Sequence, residues 1–163
     1  GVGWVQDIVP NHLAYHPTNP WLWDVLEKGH RSRYAAYFDT VFSDATLFRG
    51  KLLLPFLAGP LAETIARNGL NVAFNGRQLV FRTNGNDWPL APATYQTVLT
   101  AAGQQPGLDA LLDKLRTALS EEDNAIPPER DKLFFDAWED FLDELALFLH
   151  DAPAFLDVCL RVV

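Results

Sequence analysis

Three polar side chains near the start of the chain have types and a spacing suited to binding a ligand. Asp7 interrupts an apolar run over residues 4–9, and Asn11 and His12 follow it closely. The run is typical of a buried strand, and Pro10, which cannot donate to a β-ladder, ends it. Asn11 and His12 are therefore predicted just beyond the carboxyl end of a strand, where parallel sheets and barrels bind their ligands.

A zinc site is an alternative, because His12 and His16 lie four residues apart. On a helix that spacing places two imidazoles on one face, but Pro17 and the turn-like composition disfavour a helix here. The single cysteine, Cys159, excludes an internal disulfide and an all-cysteine metal site, and it is predicted to be a buried, inert thiol. We therefore expect no metal and no other cofactor.

The hexapeptide over residues 7–12 matches the D-x-V-x-N-H signature of the α-amylase superfamily, the retaining enzymes of glycoside hydrolase family 13. Further segments, in the same order, resemble the maltooligosyltrehalose synthase subfamily. These segments are Asn19-Pro20-Trp21, Trp23 to Gly29, Ser32-Arg33-Tyr34, Tyr37-Phe38-Asp39, Gly50 to Pro55 and Pro89 to Pro92. Residues 39–44 depart from the subfamily pattern, which usually has an Asp-Ile-Asp-Trp run there.

In this superfamily a (β/α)8 barrel carries a subdomain inserted after its third strand. The resemblance implies that residues 1–18 are the end of that barrel strand and an active-site loop. Residues 19–91 would be the mixed α/β part of the inserted subdomain and residues 92–163 its helical part, with the barrel itself largely absent. The expected fold class is α+β, mainly α, with a short β-hairpin and several helices.

The resemblance implies an enzyme that converts maltooligosaccharides into maltooligosyl trehalose by intramolecular transglycosylation, moving a linkage from α-1,4 to α,α-1,1. Retaining chemistry needs two carboxyl groups about 5–5.5 Å apart. The family motifs that carry them do not occur in these 163 residues, so we expect an inactive fragment of the enzyme. The alternatives are another amylase-type hydrolase, a 4-α-glucanotransferase, or a non-catalytic glucan-binding or interaction module.

The resemblance also implies roles for individual residues. His12 matches a histidine that hydrogen-bonds the glucosyl unit before the scissile bond, and Asn11 matches a residue that supports this loop. Asp7 would orient an arginine beside the nucleophile rather than act as the nucleophile itself. No catalytic residue is therefore expected in this chain. The counterpart of Asn11 binds calcium in some amylases, but no metal is expected here.

Aromatic residues are dense just after this motif, and sugar rings present apolar C–H faces that stack on aromatic rings. Tyr15, Trp21 and Trp23 are candidates for such stacking. For most of the aromatic residues between positions 21 and 38, however, the expectation is the alternative role of a local core, with one or two lining a glucan groove.

Local signals predict the surrounding elements. Asn19 and Pro20 should cap and begin a helix that ends at Gly29, and Ser32 should cap a short helix over residues 33–38. Residues 51–55 resemble a buried strand, and a helix should follow residues 59–60 and end near 68–69. A hairpin over residues 70–81 should turn at Asn75-Gly76 in a type I′ turn, with a loop over residues 84–89.

After Pro92 the apolar residues recur with helical periodicity over residues 94–101, 108–119 and 129–149. The last segment has a broad apolar stripe with acidic residues opposite. Breaks are predicted at residues 106–107, 127–128 and 151–153, where proline occurs.

The net charge of −8 argues against nucleic acid as a partner, and no apolar run is long enough for a membrane span. The expected partner is a maltooligosaccharide or another α-glucan. No signal-peptide pattern is present and cysteine is scarce, which favours a cytoplasmic location. Without barrel neighbours the strand over residues 3–9 would expose an apolar edge, through which the chain could self-associate.

Overall fold

The computed structural model describes residues 16–38, 57, 59–120 and 128–162, with side chains from residue 132 onward in the last range. Its helices are α1 (Pro20–Lys28), α2 (Leu61–Ala66), α3 (Pro92–Ala101), α4 (Leu108–Ser120), α5 (Pro128–Asp151) and α6 (Pro153–Cys159). The strands β1 (Asn71–Phe74), β2 (Leu79–Thr83) and β3 (Asn86–Pro89) form one antiparallel sheet in the order β1-β2-β3. Helix predominates over this small sheet, which confirms the predicted α+β, mainly α class. The strands predicted over residues 3–9 and 51–55 lie outside the described residues.

The first hairpin, β1–β2, confirms the predicted pair of strands but not the predicted turn. Residues 75–78 connect the two strands. Gly76 has a φ of 95°, whereas Asn75 has a negative φ and accepts hydrogen bonds on its side-chain oxygen from the N–H groups of Arg77 and Gln78. A type I′ turn requires positive φ at both central residues, so the prediction of one at Asn75-Gly76 is wrong.

The type I′ turn predicted for the first hairpin is found instead in the second hairpin, β2–β3. Asn84 and Gly85 form a two-residue loop with φ values of 49° and 75°, as a type I′ turn requires. The prediction that residues 84–89 form a loop is wrong, because residues 86–89 pair with β2 as a strand. Among the described strands β3 pairs only with β2, and Pro89 is tolerated at the end of such an edge.

The main hydrophobic core joins the sheet to the helices α3 to α6. Its largest fully buried side chains include Tyr95, Phe134, Trp138, Phe141, Leu99, Leu115, Leu142, Leu145 and Leu149. Trp138 stacks on Phe141 at 5.2 Å between ring centroids, and Tyr95 meets Trp138 edge-on at 5.3 Å. The predicted apolar stripe of α5 is confirmed, except that Leu133 is exposed.

Local chain signals place most helix boundaries correctly. The predicted break around Pro128 is where α5 begins, and Pro153 begins α6.

Cys159 is fully buried, and burial raises the pKa of its thiol to about 11, as expected of an inert cysteine. Nowhere in the described part of the chain is a helix both long and apolar enough to span a membrane.

The short helix predicted over residues 33–38 is present only as a single 3-10 turn, Ala35–Tyr37. A second 3-10 turn, Gly29–Arg31, precedes it. The prediction that Ser32 caps this helix is wrong, because Tyr34 occupies the N-cap position. The hydroxyl of Ser32 accepts a hydrogen bond from the Tyr34 N–H at 3.1 Å and donates one to Asp24. This contact with α1 holds the chain between the two turns.

Replacing Gly85 by alanine should lower the free energy of unfolding by about 1 kcal/mol, because its φ of 75° lies in the left-handed region. No atom lies within 4 Å of the added Cβ, so the effect would come from the backbone alone. Gly59→Ala is the matched control, since that site is equally open and has no positive φ, and it should change stability by less than about 0.5 kcal/mol. Urea unfolding measures both, and equal stabilities would contradict the turn assignment.

Candidate functional site

The motif over residues 7–12 lies outside the part of the chain that the structure describes. Asp7, Asn11, His12 and Tyr15 lie outside the described residues, so the roles predicted for them stay predictions. The same holds for the predicted strand edge over residues 3–9 and for the zinc alternative. The remaining candidates, Trp21 and Trp23, both lie on α1.

Helix α1 is fixed at both ends as the sequence predicts. The side-chain oxygen of Asn19 accepts hydrogen bonds from the N–H groups of Trp21 at 3.1 Å and Leu22 at 3.4 Å, which confirms the N-cap. Gly29, with a φ of 61°, ends the helix. Along its length α1 packs against β3 and buries Leu22 and Val25.

Trp21 and Trp23 face different surroundings, because two residues along an α-helix correspond to a rotation of roughly 200°. Trp21 contacts two tyrosines on the protein surface, and Trp23 lines a groove next to the sheet. The two indoles therefore form parts of two separate surfaces.

The first surface is an aromatic cluster of Trp21, Tyr34 and Tyr37. The Trp21 and Tyr34 rings are stacked, with centroids 5.2 Å apart and planes 8° apart, and Tyr37 is tilted against Trp21 at 5.3 Å. Trp21 is 40% exposed and Tyr37 61% exposed, and none of the aromatic residues from position 21 to 38 is buried. The alternative that these residues form a buried local core is therefore wrong.

The second surface is a groove of about 440 Å³ between the segment that precedes α1 and the β2–β3 turn. It is lined by His16, Pro17, Thr18, Trp23, Asn75, Arg82, Gly85, Asn86 and Asp87. Apart from the half-buried indole of Trp23, most of the lining is polar. On one wall, Nδ1 of His16 lies 2.8 Å from the Thr18 hydroxyl.

Arg82 and Asp87 form a bidentate ion pair in this groove. They lie opposite each other on β2 and β3, with Nε to Oδ1 at 2.6 Å and Nη2 to Oδ2 at 2.9 Å. The hydrogen bond and charge of Arg82 lower the pKa of Asp87, and the hydrogen bond and charge of Asp87 raise the pKa of Arg82. Both groups are therefore ionised near neutral pH, and their charges cancel.

Sequence reasoning did not select Arg82 or Asp87, because residues 84–89 were predicted to be a loop. A signal was present, since the two residues lie at equal distances on either side of Asn84-Gly85. In a hairpin with a two-residue turn those positions face each other, and opposite charges there stabilise the pairing.

A buried carboxylate fixes α1 to the rest of the fold. Glu27 is only 5% exposed, and its Oε1 accepts a hydrogen bond of 2.9 Å from the side-chain amide of Gln78 in the first hairpin. Burial raises the pKa of Glu27, while the Gln78 hydrogen bond and the charge of Lys28 partly oppose that rise. The indole N–H of Trp138 on α5 also favours the ionised form of Glu27, although its geometry is not that of a hydrogen bond.

Glu27→Gln should reduce the pH dependence of stability. The raised folded-state pKa means that ionisation is harder in the fold than in the unfolded chain, whose glutamate has a pKa near 4.5. The wild type therefore loses stability as the pH rises from below 4.5 through the folded-state pKa. Glutamine keeps an acceptor for Gln78 but cannot ionise, so the variant should gain stability relative to wild type between about pH 4 and pH 7.

Urea unfolding at both pH values measures this difference. Glu63→Gln is the control, because it makes the same substitution at a side chain that is 61% exposed, and it should change stability by less than about 0.5 kcal/mol. Parallel profiles for wild type and Glu27→Gln would contradict a buried carboxylate that is hard to ionise.

No metal centre is found in residues 16–38, 57, 59–120 and 132–162, where no group of three or more His, Cys, Asp or Glu side chains is arranged to hold an ion. Chemically, the described surfaces offer stacking rings and hydrogen-bonding groups, which suit binding of a neutral polar ligand.

Comparison with known proteins gives a partial similarity. Among curated proteins, two from Mycobacterium tuberculosis, of strains CDC 1551 / Oshkosh and ATCC 25618 / H37Rv, match the chain, and their names assign them provisionally as maltooligosyl trehalose synthases. Each is 42% identical over 59 residues, which is 35% of this chain but only 7% of the relative's length. No protein-family model and no solved structure matches. The chain is thus similar over a short region to proteins named for trehalose synthesis.

Proposed function

We propose that the sequence is part of an enzyme that converts maltooligosaccharides into maltooligosyl trehalose. The reaction would transfer the reducing-end glucosyl unit within one molecule, from an α-1,4 to an α,α-1,1 linkage, with retention of configuration. The observation that carries this proposal is the 42% identity to the two relatives over 59 residues. The ordered resemblance of the segments from Asp7 to Pro92 to the same subfamily agrees with that alignment.

In this proposal the two reacting carboxyl groups come from parts of the enzyme beyond these 163 residues. Asp7 orients an arginine beside the nucleophile, and Asn11 supports the loop that follows. His12 hydrogen-bonds the glucosyl unit before the scissile bond, and hydrogen bonds to sugar hydroxyls at this position can strengthen in the transition state. No metal or other cofactor takes part.

Tyr15, Trp21 and Trp23 are proposed to stack on glucose rings of bound α-glucan. The exposure of Trp21 supports this role, because 40% of its surface remains open although it packs against Tyr34. Aromatic rings that are held by neighbours lose little conformational freedom on binding, which favours affinity.

The full-length enzyme should isomerise maltopentaose, so the amount of reducing ends should fall without release of free sugar. A reducing-end assay combined with chromatography of the products measures this. A rise in reducing sugar would instead identify a hydrolase. Redistribution of chain lengths with constant reducing ends would identify a 4-α-glucanotransferase, and binding without turnover would identify a non-catalytic module.

The 163-residue chain by itself is the matching control, and it should show no turnover of any α-glucan because it lacks the family's catalytic carboxyl motifs. Measurable turnover by this chain would contradict the proposal that the reacting groups come from elsewhere in the enzyme.

A further inference from the structure

We propose that the groove lined by Trp23, Arg82 and Asp87 is a second binding site for a neutral α-1,4-glucan chain, in addition to the predicted contact at His12. The choice of an α-1,4-glucan rests on the proposed function. The choice of a neutral, hydroxyl-rich ligand rests on the groove itself.

The charge in the groove argues for a neutral ligand. Arg82 could attract a phosphate or carboxylate if it were unpaired, but Asp87 binds it through two hydrogen bonds and cancels its charge. Because the pair is neutral overall, an incoming anion or cation meets little net electrostatic attraction. A neutral polyol does not depend on such attraction.

The same pair offers donors and acceptors side by side. Its hydrogen bonds to Asp87 use two of the five N–H donors of Arg82, and each carboxylate oxygen can accept more than one hydrogen bond. The two side chains are 50% and 27% exposed, so solvent can reach these groups. Adjacent hydroxyls of a pyranose ring both donate and accept, and they match such a surface.

Trp23 supplies the apolar component. Its indole lines the groove and is half-buried, so packing holds the ring while part of it remains accessible. A pyranose ring could therefore stack on the indole while its hydroxyls bind the ion pair.

The groove is also preorganised and open. Arg82 and Asp87 are opposed by the register of β2 and β3, and Asn86 follows the tight Asn84-Gly85 turn, so little freedom is lost on binding. The groove begins at His16, four residues after His12 in sequence.

The test is calorimetric titration of the 163-residue chain with maltohexaose. Wild type should bind, and Arg82→Ala and Trp23→Leu should each weaken binding about tenfold or more, because each removes a direct contact.

Loss of the half-buried Trp23 also removes packing, so the exposed Arg82 provides an independent variant. Arg77→Ala is the matched control, since Arg77 is equally exposed in the neighbouring hairpin but pairs with Glu139 outside the groove. It should bind like wild type.

The proposal fails if wild type does not bind maltohexaose, or if all variants bind equally. It also fails if inorganic phosphate displaces maltohexaose, or if cellohexaose binds as tightly. These outcomes are independent of the maltopentaose assay on the full-length enzyme. Isomerisation with an inactive groove would reject the second site alone, whereas groove binding without isomerisation would reject only the proposed reaction.

Discussion

The contact between Glu27 and Gln78 is the constraint on which the proposed binding surfaces depend. It joins α1 to the first hairpin through a side chain that is only 5% exposed. A buried carboxylate is costly unless its hydrogen bonds are made, so few alternative positions of α1 would satisfy it. We infer that this pairing fixes the rotation of α1, which presents Trp21 to solvent and Trp23 to the groove.

The sheet connects this anchored helix to the helical part of the chain. Val72 and Leu79 belong to the core formed with α3 to α6. The buried side chains of Ala73 and Val80 do not belong to that core, and neither do the buried side chains of α1. Side chains alternate between the two faces of a strand, so this division indicates that both faces are covered. The end of the sheet nearest the second turn carries the polar pair that lines the groove.

The parts of the fold that depend on local chemistry were predictable from the sequence. The cap at Asn19 and the helix break before Pro153 need only adjacent residues, and both are confirmed. The turn was assigned to the wrong Asn-Gly pair because both pairs carry the same local signal. Strand β3 was missed because Asp87 is unfavourable in strands, and its pairing with Arg82 is a tertiary effect. The burial of Glu27 likewise depends on a partner 51 residues away.

The central claim is that anchored α1 presents Trp23 to a glucan chain. Titration of ¹⁵N-labelled protein with maltohexaose tests it most directly, because each tryptophan indole N–H gives its own NMR signal. The account predicts that the Trp23 signal shifts in a saturable way, while the signal of the fully buried Trp138 stays in place. A Trp23 signal that does not move at saturating maltohexaose would contradict it.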